Sequence, residues 1–272
     1  MSVSFDKIDY DIIFIGFGVT SSIVSNVLFQ RGIGNTSCTF EVSFSPSGGA
    51  FGIWGPIYVF SLLTIADQIH LRSTHSKEYD TVVPNICHGF AWLFAALWTP
   101  TFTTTVDLKG TRAPSPMALA VSAVFLCCTA SLSTVAVFYS SAWRRSSDAQ
   151  FRWITGVAFG LLAGWTLLAA SLNIAIAYKA NDGVDDVLCN LESDDDVQDS
   201  YNIFGTINRA YFTPVPLVLA TIISLVAVLL PNPIIALPLL WALYFIRPSY
   251  LNYIAAMLCV IAEIFAIYRT FV

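Results

Sequence analysis

Three groups of residues in this chain have types and spacings that could do chemistry. Phe51, Trp54 and Tyr58 follow a Pro/Gly-rich approach, Ser45-Pro-Ser-Gly-Gly-Ala-Phe-Gly-Ile-Trp-Gly-Pro-Ile-Tyr58, at i, i+3 and i+7. That spacing sets all three on one helix face. Far downstream, Trp165, Ala169 and Asn173 stand at i, i+4 and i+8, again one face. Flat π-faces with few charges suit a flat, apolar molecule that stacks on rings and needs few polar anchors. Trp92 adds a further ring, and the small residues Gly164, Ala169 and Ala170 beside Trp165 either admit a neighbouring backbone or leave room for the ligand. The third group consists of polar side chains inside apolar runs: Asn26, His88, Asn173 and Glu263, with Asp67 and Gln68 at the end of one run. Nothing in hydrocarbon solvates such groups, so each needs a reason to be there. His88 is a candidate axial ligand for a haem or chlorophyll-type macrocycle, or else an ordinary hydrogen-bonded His. Asn173 reads as a helix-to-helix hydrogen bond or as a ligand contact. Glu263 pairs across a bundle, is protonated, or marks an interface with another subunit.

Catalysis has little support. There is no Ser/His/Asp arrangement, no pair of intramembrane carboxylates and no phosphate loop. Six cysteines occur without any C-x-x-C and three histidines lie at no ligand spacing, so no metal site is expected. Gly16 and Gly18 sit inside the first apolar run and read as helix-packing glycines. The expectation is a protein that is not an enzyme and requires no cofactor.

The elements that must position these residues are membrane helices. With 272 residues, 56% hydrophobic and 11% charged, at a mean hydropathy of +0.69, the chain is too apolar for a soluble domain and too long for one or two spans. A net charge of −5 without a basic stripe speaks against nucleic acid as a partner. Apolar runs bounded by charge, Pro or Gly give eight candidate spans: Tyr10–Phe29, Gly49–Ala66, Ile86–Phe102, Pro116–Trp143, Phe151–Tyr178, Thr213–Leu230, Pro233–Ile246 and Tyr250–Tyr268. The seventh is short and holds Pro238, so the sixth and seventh read as a tight helical hairpin, with a re-entrant seventh segment as the alternative. The fold class is thus all-α, a polytopic transmembrane bundle of about eight helices in an integral, multi-pass protein. The start is acidic and no small-x-small cleavage site follows, so the first helix is expected to act as its own insertion signal.

Residues 181–200 carry 8 of the 18 acidic residues, the mark of a solvated loop. This loop divides the chain into a five-helix bundle (1–180), an acidic connection (181–210) and a three-helix C-terminal extension (211–272). Seven cations lie at the ends and in even-numbered loops against six in odd-numbered loops, too small a bias to orient the protein. Asn35-Thr36-Ser37 is a glycosylation sequon in the first loop. Cys38 and Cys189 both lie in odd-numbered loops, where an oxidising side would let them pair. Together these lean towards both termini facing the cytoplasm or its equivalent.

The two aromatic stretches together resemble the translocator protein, or tryptophan-rich sensory protein (TspO/MBR), family in its longer form. In that family a Pro-x-x-aromatic-x-Phe-x-x-Trp-x-x-x-Tyr signature opens the second helix, standing here as Pro46, Phe51, Trp54 and Tyr58. A Trp with Asn eight residues later marks its fifth helix, here Trp165 and Asn173. The resemblance spans roughly residues 10 to 180. Leu161-Leu162 replace the family's Pro-Tyr pair before the fifth-helix Trp, and His88-Gly89 stand where its third helix usually has an Asn before Trp92.

The resemblance implies a five-helix bundle around an aromatic pocket that binds a tetrapyrrole, sterol or other lipid, acting as sensor, carrier or scavenger. Trp54, Tyr58, Trp92, Trp165, Ala169 and Asn173 would line that pocket and Phe51 would help close its mouth. Beside the bilayer and a hydrophobic small molecule, the candidate partners are further copies of the chain or the subunits of a membrane complex. The alternative reading, from a different class, is an accessory subunit of a larger energy-transducing membrane assembly that holds lipids or pigments. The three-helix extension and Glu263 favour it. A small-solute transporter would show pseudo-symmetric halves, and none is visible.

Overall fold

The computed structural model describes residues 10–39, 42, 45–74, 82–108, 111–143, 153–182, 215–230, 232–246 and 250–271. These form the helices α1 (Tyr10–Thr39), α2 (Trp54–Thr74), α3 (Val82–Phe102), α4 (Pro116–Trp143), α5 (Trp153–Asp182), α6 (Val215–Leu229), α7 (Leu237–Phe245) and α8 (Tyr250–Phe271). Two 3₁₀ turns, Gly48–Ile53 and Pro233–Ala236, lead into α2 and α7. Between α3 and α4 the short strands β1 (Thr105–Leu108) and β2 (Thr111–Pro114) pair antiparallel, Thr105 opposite Pro114 and Leu108 opposite Thr111. The apolar-run reading does not anticipate this hairpin, because a polar connection carries no hydrophobic period to read.

Six helices, α1 to α5 and α8, are long and apolar enough to cross a membrane, so the protein is an integral, multi-pass membrane protein. The eight expected helices are present, and among the described residues six of them reach that length. The described α6 has 15 residues, and α7 has only 9. At about 1.5 Å per residue, α7 is roughly 14 Å long, under half of a hydrocarbon core of about 30 Å. The expected hairpin of the sixth and seventh segments is corrected, since α6 packs along α8 while the Pro233–Ala236 turn and α7 lie against α5. Asn232 explains the change of direction. Its Oδ1 accepts from the Ile234 N–H at 3.0 Å and its Nδ2 donates to the Gly156 carbonyl of α5 at 3.0 Å.

The first five helices close a ring, α1 against α3, α3 against α4, α4 against α5, α5 against α2 and α2 back against α1. The most enclosed is α5, with 72% of its apolar window buried against 33–50% for the other five long helices. Exposed Phe17, Val59, Leu97, Val124, Phe138 and Ile174 give the ring an apolar exterior suited to lipid tails.

Inside, polar side chains tie helix to helix. Ser25 Oγ donates to the Ala96 carbonyl at 2.7 Å and Asn85 Nδ2 to Asp11 Oδ2 at 2.8 Å, joining α1 to α3. Asn173 and Ser122 pair at 3.1–3.2 Å, and Ser133 meets Thr166 at 3.4 Å, joining α4 to α5. Such bonds contribute about 0.6 kcal/mol each on average within a membrane.

Asn35 is exposed in the last turns of α1 rather than in a loop, because α1 runs to Thr39 instead of ending at Phe29. The Cys38 side chain, Cys189 and the acidic stretch from residue 183 lie outside the described residues, and the proposed Cys38–Cys189 pair with them.

Candidate functional site: an aromatic ladder and its cavity

The stripe predicted on α2 builds a ladder of rings in the centre of the helix ring. Trp54 stacks on Tyr58 with centroids 5.6 Å apart and planes 24° from parallel. Tyr58 stacks in turn on Trp92 of α3 at 5.2 Å and 27°. On the other side Trp54 meets the edge of Trp165 at 6.3 Å, and Phe51 meets Trp165 at 5.9 Å, both near perpendicular. The stacked and edge-on arrangements are those that the ring quadrupole favours. Rings from two sequence-distant stretches therefore converge, and Trp54 and Trp165 face each other rather than lipid.

Each rung is held from behind. The Tyr58 hydroxyl accepts from Asn26 Nδ2 at 2.6 Å and reaches the Ser22 carbonyl at 3.4 Å, both on α1. Trp92 Nε1 donates to His88 Nε2 at 3.0 Å, one turn earlier on α3. The His88 ring, fully buried, packs 4.2 Å from Phe159 of α5. His88 Nε2 thus accepts from Trp92, its Nδ1 is buried with no hydrogen-bond partner among the described residues, and His88 is not among the residues that wall the cavity beside the ladder. Gly18 permits the close packing of α1 on this wall, since a Cβ there would meet the Gly89 carbonyl oxygen at 2.8 Å and Trp92 Cβ at 2.9 Å. Gly16, by contrast, faces open space.

Beside the ladder lies a cavity of about 30 Å³, walled by Ile33, Ser37, Pro46, Phe51, Trp98, Phe102, Trp165, Leu168, Ala169, Leu172, Asn173 and Ile176. Of the seven predicted site residues, Phe51, Trp165, Ala169 and Asn173 line it, while Trp54, Tyr58 and Trp92 stand behind as the ladder. The sequence reading missed Trp98 and Phe102. The signal was present, because Ala95, Trp98 and Phe102 repeat on α3 the i, i+3, i+7 spacing that singled out α2. A larger hollow of about 600 Å³ is an open groove on the outer face, lined by Phe94, Val124, Cys127, Cys128 and Ile174 and remote from the ladder.

The electrostatics of the cavity rest on two indoles. Trp98 and Trp165 are 5% and 3% exposed, and the Nε1 of each is buried with no hydrogen-bond partner among the described residues. An indole N–H can only donate, so two residues of the cavity wall each carry a buried donor with no partner among the described residues. Asn173, read as a helix-to-helix hydrogen bond or a ligand contact, lines the cavity and makes the interhelical pair with Ser122. Among the described residues no group of three His, Cys, Asp or Glu side chains is placed to hold a metal ion.

Small residues on α5 divide their roles. Ala169 borders the cavity, whereas Gly164 admits a backbone: a Cβ there would press into the Ile235 carbonyl oxygen, 3.0 Å from its carbon and 3.1 Å from Pro238 Cδ. Gly160, one turn earlier, meets Asn232 Oδ1 at 2.9 Å in the same way. The Gly-x-x-x-Gly face of α5 thus receives the Pro233–Ala236 turn of the C-terminal extension. Glu263 of α8, 8% exposed, has the backbone amides of Ala236 and Leu237 as hydrogen-bonding neighbours. It sits at the N-terminal end of α7, where the helix dipole favours a carboxylate.

A family model described as TSPO-like protein matches residues 10–186, which takes in all five helices of the ring. No curated protein and no solved structure matches the chain.

Proposed function

The chain belongs to the TSPO-like protein family, and from that premise we propose that it binds a flat, apolar, acceptor-bearing ligand of the tetrapyrrole or sterol class in the aromatic cavity. It would act as a sensor, carrier or scavenger rather than an enzyme. The observation that carries this reading is the pairing of ring walls with two buried donors. Phe51, Trp98, Phe102 and Trp165 surround the space, and the indole N–H groups of Trp98 and Trp165 lack an acceptor among the described residues. A buried unmatched donor costs about 1–3 kcal/mol. A ligand carboxylate, carbonyl or hydroxyl oxygen recovers that cost while its apolar body stacks on the rings.

Titration of the purified protein with protoporphyrin, followed by Trp quenching, tests this. Saturable quenching in the wild type and a loss of at least tenfold in affinity in Trp165→Ala is the expected result. Equal quenching in the wild type, Trp54→Ala and Trp165→Ala removes the binding reading.

One observation favours a second reading, an accessory subunit of a larger membrane assembly. A cavity of about 30 Å³ is well below the about 300–1,000 Å³ of ligand pockets, and the ladder rings pack on one another. Gentle native electrophoresis separates the two, since a stable high-mass band supports the subunit and a monomer or small homo-oligomer the binder.

A further inference from the structure

The same mismatch in volume, read as mechanics, deepens the binding proposal. A cavity of about 30 Å³ must enlarge roughly tenfold to reach the lower bound of ligand pockets, about 300 Å³, so one wall has to move. Three of its walls are the long helices α1, α3 and α5; α1 is tied to α3 by the Ser25–Ala96 and Asn85–Asp11 bonds, and α5 is tied to α4 behind it by the Asn173–Ser122 and Thr166–Ser133 pairs. The remaining wall is the short Gly48–Ile53 turn, which carries Phe51 against Trp165.

That movable wall is fastened from outside the ring by the C-terminal extension. Trp241 Nε1 of α7 donates to the Ala50 carbonyl at 2.9 Å. In the reverse direction the Ser47 N–H donates to the Phe245 carbonyl at 3.0 Å. Gly49 makes room for the Phe245 ring, for a Cβ there would stand 2.5 Å from its Cε1. The other end of the strut is fixed on α5, where Asn232 bonds the Gly156 carbonyl and the Pro233–Ala236 turn beds into Gly160 and Gly164. The segment that does this lies beyond the residues 10–186 that the family model matches.

We propose that the C-terminal extension is an autoinhibitory clamp: α7 holds the Gly48–Ile53 turn closed over the aromatic cavity, and ligand enters only when that turn releases. The closed cavity is too small for the ligand, so the clamp stabilises only the empty state. Apparent affinity then scales with the fraction of molecules whose turn is open. The sign is unusual, because deleting a bond of the protein tightens binding.

Two substitutions remove one bond each, from opposite sides, and neither residue lines the cavity. Trp241→Phe keeps an aromatic ring and loses the donor. Ser47→Pro loses the N–H at a φ of −62°, which proline adopts without strain. The full-length protein is placed in lipid nanodiscs without ligand, its helicity is checked by circular dichroism, and amide hydrogen exchange is read over residues 48–54. Exchange should quicken about fivefold in each variant and about 25-fold in the double variant, the effect of one and two hydrogen bonds of ordinary net strength. With protoporphyrin as the probe, the dissociation constant should fall by the same factors, through a faster association rate and an unchanged dissociation rate.

Unchanged exchange in a variant of native helicity overturns the clamp. So does faster exchange with unchanged or weaker probe affinity, which would mean that the turn is not the gate. If the wild type fails to quench with protoporphyrin at all, the binding proposal falls, and hydrogen exchange alone then decides whether α7 holds the turn.

Discussion

Replacing Gly164 with Ala tests the seating of the extension on α5 through a reversal of sign. In the middle of a helix, Gly→Ala ordinarily stabilises by about 0.5–1 kcal/mol, because Ala loses less conformational freedom. At Gly164 the added Cβ would press into the Ile235 carbonyl oxygen and lie 3.0 Å from its carbon and 3.1 Å from Pro238 Cδ. These neighbours are backbone and a proline ring, which cannot swing aside as a flexible side-chain tip would. Overpacking of this kind costs about 1–3 kcal/mol, and lifting the turn also lengthens the Asn232–Gly156 bond, worth about 0.6 kcal/mol. Set against the propensity gain, the net loss is about 1–2 kcal/mol.

For a chain of this size 1 kcal/mol moves Tm by about 2–4 °C, so thermal unfolding of the purified protein should show a fall of about 2–8 °C. Gly16 is the control, since nothing lies within 4 Å of a Cβ there, and Gly16→Ala should raise Tm slightly. Hydrogen exchange across residues 237–245 should quicken in Gly164→Ala alone. The reasoning fails if Gly164→Ala melts at or above Gly16→Ala with the exchange of α7 unchanged.

Two further substitutions separate structure from ligand contact. Asn173→Ala removes the bond that Asn173 Nδ2 donates to Ser122 Oγ at 3.1 Å, while the Ser122 hydroxyl keeps its bond to the Leu119 carbonyl at 2.7 Å. Tm should fall by about 2–5 °C, as for an interhelical bond of about 0.6–1.7 kcal/mol, with protoporphyrin affinity within about threefold; a larger loss of affinity would make Asn173 the anchor after all. His88→Leu strands the Trp92 donor, a cost of about 1–3 kcal/mol visible as a lowered melting point. The absorption spectrum of added iron protoporphyrin should be the same with either protein, and a shifted Soret band in the wild type alone would make His88 a ligand.

How much of this was legible in the sequence follows from what period each feature has. The α2 stripe was readable because Phe51, Trp54 and Tyr58 share a helical face at any tilt, and the ladder confirms that face. The convergence of Trp54 and Trp165 came from the family resemblance, since no single-chain pattern states which two helices adjoin. Long apolar runs gave α3, α4, α5 and α8 nearly to their ends, whereas α1 and α2 continue past the expected Phe29 and Ala66 to Thr39 and Thr74. The 9-residue α7 was overextended into a span, because Pro233 and Pro238 permit either a broken helix or a helix start, and only Asn232 bonding back to α5 decides between them. The small residues around Trp165 left two outcomes open, backbone approach or ligand space. The structure uses both, Gly164 for the first and Ala169 for the second, a division that depends on a partner segment 70 residues away. Trp98 was passed over for lack of a motif, although its spacing to Phe102 matched the stripe already recognised on α2.

The indoles of this protein separate its packing from its proposed chemistry. Trp92 donates to His88 and Trp241 to Ala50, so each fixes one piece of structure to another. Trp98 and Trp165 are buried like Trp92, whereas Trp241 is partly exposed, yet the donors of Trp98 and Trp165 meet no acceptor among the described residues. Ser and Thr in a helix can turn their hydroxyls back to a carbonyl one turn earlier, as Thr129 and Thr166 do here. An indole N–H does not fold back onto a carbonyl of its own helix in that way, so its partner must be a neighbouring side chain, as His88 is for Trp92, another element or a guest. Both indoles belong to residues that line the cavity beside the Phe51 turn. Two opposed terms then set affinity, the acceptor that a ligand supplies to Trp98 and Trp165 and the bonds that α7 must release to admit it. The second term resides wholly in the extension, so affinity can be tuned from α7 without touching a residue of the pocket.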